Sequence, residues 1–321
     1  MGLISDKCSD LFLIAIPRTR KLITIFILLP ILLAAQVNIK NLVDRRDLDG
    51  TSRKYLIHDE NPYTGKVYYN YNNGQREFEG EMKNGLQNGH WIWWYEDGQK
   101  RQEGYFKNYQ LDSLWYSWYP NGQLKQEGEY INGKKEGSWT LWYENGVVSS
   151  AEPYRDGVLH GKLILWYQNG QKEGEATFIK GQKVGTDLGW YQDGRPMWLF
   201  HWQDGKEDGL QKEWYPNGQV RYIHSFKEGQ LDGPFTDWYP SGTKRIEGQF
   251  INGVQVGAWT WWYPDEDVAL EGIYELGNPA GTWIWLDQKE EVFLAKEDPP
   301  NMWIQNRIKV WEQISQSANP R

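Results

Sequence analysis

Cysteine is all but missing from this chain: among 321 residues the only one is Cys8. The body of the protein therefore has no disulfide, no cysteine metal site and no cysteine nucleophile. Histidine is scarce as well. His58, His90, His160, His201 and His224 stand apart, and no pair has ligand spacing. Neither a Gly-x-Ser-x-Gly elbow nor a phosphate loop is present, and Ser241-Gly-Thr-Lys244 matches a Ser-x-x-Lys string by chance in an ordinary turn. No catalytic residue, metal or cofactor is expected, so the chain reads as a non-enzyme. A lysine-arginine cluster is also lacking. The net charge is -8, which repels nucleic acid and anionic membrane surfaces on average.

Long apolar runs are absent too. The longest, LITIFILLPILLAA over residues 22–35, falls short of the roughly 20 residues needed to span hydrocarbon. It follows the basic cluster Arg18-Thr19-Arg20-Lys21 and ends in small residues, the pattern of a secretory signal cleaved after Ala35, or else of an uncleaved anchor. Residues 1–35 are taken as that segment and 36–54 as a linker or lead-in. The expected location is exported: periplasmic, secreted or anchored at the N-terminus, with membrane contact only through that segment.

What the chain does have is 20 Trp, 20 Tyr and 34 Gly beside only 10 Phe, and they are periodic. The pair Trp-Tyr starts at Trp94, Trp118, Trp142, Trp166, Trp190, Trp214, Trp238 and Trp262, always 24 residues apart. Glycine columns keep the same step, broken only at Tyr109 and Ser113. Phe106, Tyr130, Tyr154, Phe178, Trp202, Phe226, Phe250 and Tyr274 form an aromatic column. Self-similarity at one fixed period means a repeat architecture.

Each unit reads as a β-hairpin. In Trp139-Thr-Leu-Trp-Tyr143, strand alternation sends Trp139, Leu141 and Tyr143 one way and Thr140 and Trp142 the other. The following Tyr-x-Asn/Asp-Gly carries proline at x in four units, which suits a type I turn whose glycine takes the left-handed conformation. Asn-Gly-x-x-x-Gly then makes a second tight loop. The fold class is therefore all-β: an elongated, single-layer twisted sheet or solenoid of about nine consecutive hairpins over residues 55–290, with the Trp94–Trp262 column stacked between hairpins. On that reading, truncating a column residue such as Trp166 costs about 3–5 kcal/mol. Residues 291–321 are the C-terminal cap, where Trp303, Ile304, Ile308, Trp311 and Ile314 follow helical spacing and predict an amphipathic helix over the last strand edge.

The unit running from Glu127-Gly128-Glu129-Tyr130-Ile131-Asn132-Gly133 to Trp142-Tyr143-Glu144-Asn145-Gly146 resembles MORN repeats, in their bacterial second variant. Asn61-Pro62-Tyr63-Thr64-Gly65 is similar to the entry segment that precedes such arrays. The resemblance covers residues 55–286 and implies an extended sheet of hairpins used for protein or lipid contact, usually without catalysis. Many bacterial members carry an antitoxin label, a cytoplasmic role at odds with a secretion signal.

One irregularity marks a candidate site. The column of Trp91, Trp115, Trp139, Leu163, Phe235, Trp259 and Trp283 becomes Asp187 and Gln211 at its centre, and two residues along it reads Gly189, Glu213 and Asp237. This is either drift on a solvated face or an open acidic floor, a groove for a basic or polar partner. Glu79, Glu103, Glu127, Glu247 and Glu271 also align, and are expected to hold neighbouring loops. The leading functional expectation is an exported scaffold for an unknown protein partner. Binding of cell-wall glycan or choline-type ligands on aromatic platforms is the alternative, followed by lipid contact or an antitoxin-like role.

Overall fold

The computed structural model describes residues 36–287 and 292–318. The expected signal segment, residues 1–35, lies outside the described residues. Most of the described residues form one open sheet of 23 strands, not a closed barrel, whose strands pair antiparallel in chain order. The exception is Val37–Asn38, which pairs in parallel with Val67 and Tyr68 at the first edge.

Two turns of different type alternate, and each follows from its residues. At Tyr143-Glu-Asn-Gly146 the Gly146 N–H donates to the Tyr143 carbonyl at 2.9 Å, and Gly146 sits at φ +83°. That is the expected type I turn with a left-handed glycine. At the other end, Asn132 (φ +50°) and Gly133 (φ +77°) form a two-residue primed turn, a connection whose twist matches that of the strands it joins. A third glycine, Gly137 at φ +67°, lets the register slip between Glu136 and Thr140. This is a bulge in each forward strand, and it aims the next tryptophan.

Neighbouring hairpins are tied by side chains at fixed intervals. Tyr119 donates its hydroxyl to the Trp142 carbonyl at 2.8 Å, and Tyr143 does the same to Trp166 at 2.7 Å. The series runs without a gap from Tyr71–Trp94 to Tyr263–Leu286. Asn121, Asn145 and Asn169 add amide donations to the next turn's backbone. Aspartate at Asp97 or Asp193 has no such donor to offer.

Burial corrects one expectation. The eight Trp-Tyr tryptophans are only half-buried. The fully buried indoles belong to the other face: Trp91 (1 % exposed), Trp139 (0 %), Trp259 (3 %) and Trp283 (0 %). Each lies flat on a glycine of the adjoining return strand, so that a Cβ on Gly128 would stand 2.2 Å from the Trp139 ring. An aromatic of the neighbouring column then closes over it edge-on, as Tyr130 does at 4.8 Å and 76°. The indole is thus buried inside a single layer.

The ends also differ from expectation. Residues 36–54 are no linker. Leu42–Arg46 and Ser52–Leu56 form a separate two-stranded sheet, and Leu42 packs with Val67, Met82 and Trp91. The array starts at Gly65, where the first forward strand begins, and continues past residue 290 to Val292–Glu297. The predicted helix is present at Asn301–Ala318, but it covers the sheet face instead of the edge. Ile304 and Trp311 are buried with Trp261, Tyr263, Leu270 and Trp285, and the Trp311 ring N–H donates to the Trp262 carbonyl at 2.8 Å.

Three stability outcomes are expected in urea titrations. Trp139→Ala loses about 3–5 kcal/mol through the cavity it leaves, whereas half-buried Trp166→Ala loses only about 1–2 kcal/mol. Tyr109→Gly gains up to about 1 kcal/mol, because Tyr109 is held at φ +73° in a primed turn where its counterparts are glycine.

Candidate functional site

The face that buries Trp91, Trp139 and Trp259 is covered at one end by the segment 36–56 and at the other by the helix. Between these caps it presents half-buried aromatics to solvent, among them Tyr130, Tyr154, Phe178, Trp198, Phe200 and Tyr222. Lys135 lies over both Trp139 (4.3 Å) and Tyr154 (4.6 Å), and the Tyr154 hydroxyl donates to Glu152 at 2.9 Å.

The centre of this face is not the open acidic floor expected from the forward strands. The return strands refill it. Trp198 lies on Gly189, where a Cβ would stand 2.3 Å from its ring, and its ring N–H donates to the Asp187 carboxylate at 2.9 Å. Asp187 is buried and also ion-paired with Lys183. Gln211, 1 % exposed, accepts from the His201 N–H at 3.1 Å and donates to the His201 carbonyl at 2.8 Å. These polar groups satisfy one another within the sheet. Above them run the stacked rings Trp198, Phe200, Tyr222, His224 and Phe235, with His224 only 3.9 Å from Phe235 and nearly parallel to it.

Glu213 and Asp237 are placed differently. Glu213 is paired with Arg221 at 2.5 Å, and Asp237 with His224 at 2.7 Å and Arg245 at 3.3 Å. Asp237, Arg221, Tyr222, His224 and Arg245 line a cleft of about 740 Å³, walled by Tyr215-Pro216, Tyr239-Pro240 and the helix residues Ser315 and Gln316. Burial, and then the Glu213 carboxylate, push the Tyr222 phenol above the ordinary tyrosine range. Of the five expected groove residues, Asp237 lines the cleft, Glu213 is paired with its Arg221, Asp187 and Gln211 are buried, and Gly189 lies under an indole.

Sequence reading missed Trp198, Tyr222 and the two arginines. A signal existed in the column facing the buried tryptophans: Gly80, Gly104, Gly128, Gly248 and Gly272 give way to Glu152, Ala176, Phe200 and His224 where the tryptophans fail. A lost indole is matched by a gained side chain on the opposing strand.

The opposite face is a lattice of ion pairs around the Trp-Tyr column. Glu103 binds Lys100 at 2.7 Å and His90 at 2.8 Å, and Glu247 binds Lys244 at 2.9 Å. Lys100, Lys172 and Lys244 reach over Trp118, Trp190 and Trp262 of the next hairpin. Lys100 and Lys244 stand three residues before these glutamates on the same strand, and only the His90 pair joins adjacent strands, so the contacts are to side chains of the sheet and not to loops as expected. Among the described residues, no three of His, Cys, Asp or Glu gather as a metal-binding group.

Alkali tests the packing of the aromatic face. Burial, with the Glu152 hydrogen bond second, pushes Tyr154 from 10.0 up to about 12, and burial does the same to Tyr274. Both phenols stay protonated in the fold over a range where the unfolded chain ionises, so their stabilising contribution is complete below pH 10 and is lost as pH rises towards 12. The slope of unfolding free energy against pH in that window should flatten in Tyr154→Phe, read by denaturant midpoints.

A family description, MORN repeat variant, matches residues 87–108, 111–132, 135–156, 159–180, 207–228 and 231–252. Each match spans one forward strand, its type I turn and the return strand. The unit between the fourth and fifth matches is the one in which Trp198 takes over from the forward strand. No curated protein matches the chain.

Proposed function

The chain belongs to the MORN-repeat family, whose repeats generally contact proteins or membranes, and from that premise we propose that it is a non-catalytic, exported scaffold. Its aromatic face receives an extended segment of a protein partner in the cell envelope. One observation carries the reading. The chain's own ends cover this face at both extremities, while the aromatics between them stay half-exposed. Covering the ends alone is what a binding strip of limited length requires.

The central cleft gives the strip its specificity. Two Tyr-Pro pairs and Tyr222 offer apolar walls, and Arg221 and the Asp237–Arg245 pair offer charges of both signs. Such half-exposed pairs add little affinity but penalise a mismatched partner. Export is supported by the basic cluster at residues 18–21 and the apolar run after it.

The test uses the full chain. A partner recovered from envelope extract should bind at least about tenfold more weakly to Phe200→Ala/Tyr222→Ala, in line with loss of central aromatic anchors. Thr140→Ala on the opposite face should leave it unchanged. Undiminished capture by the folded double variant would reject this face as the docking strip. A reporter active only outside the cytoplasm, fused after residue 40, should be active; silence would reject export.

A further inference from the structure

We propose that the cleft beside the helix end takes a proline-rich segment in the extended polyproline II conformation. The inference rests on the reading of this face as a docking strip for a protein segment, and it names the class of segment that the cleft selects.

A coincidence of residues found at one place in the array sets this cleft apart. Turns that begin Tyr-Pro stand at Tyr119, Tyr215, Tyr239 and Tyr263, and six residues after each comes Lys125, Arg221, Arg245 and Ala269. Only Tyr215 and Tyr239, in neighbouring hairpins, combine such a turn with an arginine. Arg221 and Arg245 are the residues skipped where the register shifts, between Val220 and Tyr222 and between Lys244 and Ile246. A bulge re-aims a side chain, and here both arginines line the cleft. The Arg221 guanidinium lies over the Tyr215 ring at 5.9 Å, and that of Arg245 over Trp311 of the helix at 4.7 Å. These ring contacts hold the two donors in place before a ligand arrives.

Donors outnumber free acceptors in the cleft. Asp237 is the one carboxylate among the described lining residues, and both its oxygens are engaged, by His224 and by Arg245. Arg221 donates from Nη1 to Glu213 and Arg245 from Nη1 to Asp237, while each guanidinium carries five N–H groups. The same two pairs balance the charge, so the cleft has no excess of either sign to select an ion. It suits an uncharged ligand that brings carbonyl acceptors, few donors and apolar rings. A flexible or β-extended peptide brings an N–H with every carbonyl, and an α-helix spends its carbonyls internally. A polyproline II segment has bare carbonyls, no N–H at proline, and pyrrolidine rings to rest on the two Tyr-Pro walls.

The experiment titrates the full chain into fluorescein-labelled decaproline and reads anisotropy, with labelled deca-glutamate and a Gly-Ser peptide of equal length beside it. Decaproline should bind at least about tenfold more tightly than either. Its affinity should change by less than about twofold between about 50 and 500 mM salt, because no net charge is exchanged. Arg221→Lys/Arg245→Lys keeps both charges but loses the planar fork that serves an acid and a ligand at once, and should lose about fivefold. Should that variant fail to fold, Pro216→Ala at an exposed turn position should lose about threefold, and the peptide comparison and salt series on the unaltered chain still decide. Decaproline that binds no better than the other peptides, that salt releases, or that folded Arg221→Lys/Arg245→Lys holds undiminished overturns the proposal. If decaproline is ignored by a chain whose Phe200→Ala/Tyr222→Ala form has lost its envelope partner, the docking strip stands and this inference alone falls.

Discussion

The contact of an indole laid flat on a glycine is the interaction on which this fold depends. A sheet with no second layer has nowhere to bury a large side chain except against itself. Removing the Cβ at Gly80, Gly104, Gly128, Gly248 and Gly272 lets a tryptophan from the next strand lie on bare backbone, and the bulge at Gly137 and its counterparts aims it there. An edge-on aromatic then seals the ring. Burial normally supplied by a facing sheet or helix is obtained within one layer, one hairpin at a time.

Because each indole joins two adjacent strands, stability is local and the array can vary unit by unit. The centre shows how. Asp187 and Gln211 replace two buried indoles, and the space passes to Trp198, Phe200 and Tyr222 of the return strands. The polar newcomers are tolerated because each finds partners inside the sheet, Asp187 with Trp198 and Lys183, Gln211 with the His201 backbone. The sheet keeps its hydrogen-bond ladder while its surface changes, and this separates the task of holding the fold from the task of binding.

The two faces are consequently unlike. One is aromatic, stacked and covered at its ends; the other is a lattice of ion pairs with a regular row of half-buried indoles. The tyrosine hydroxyls that reach from each turn to the next tryptophan's carbonyl fix that row without burying it.

Repetition made most of the fold legible in the sequence. A step of 24 residues, strand alternation in Trp139–Tyr143 and the Tyr-x-Asn/Asp-Gly turn determine hairpins, their order and the conformation of Gly146, because these are local properties of backbone and side-chain size. Which tryptophan column is the core was not legible in this way. Trp139 and Trp142 are the same residue type three positions apart, and only the bulge and the glycine across the strand decide that the first is buried. The cleft at Asp237 likewise unites residues from two repeats with Ser315 and Gln316 of the helix. Its position depends on which face the helix covers, and that is settled by packing between segments far apart in the chain.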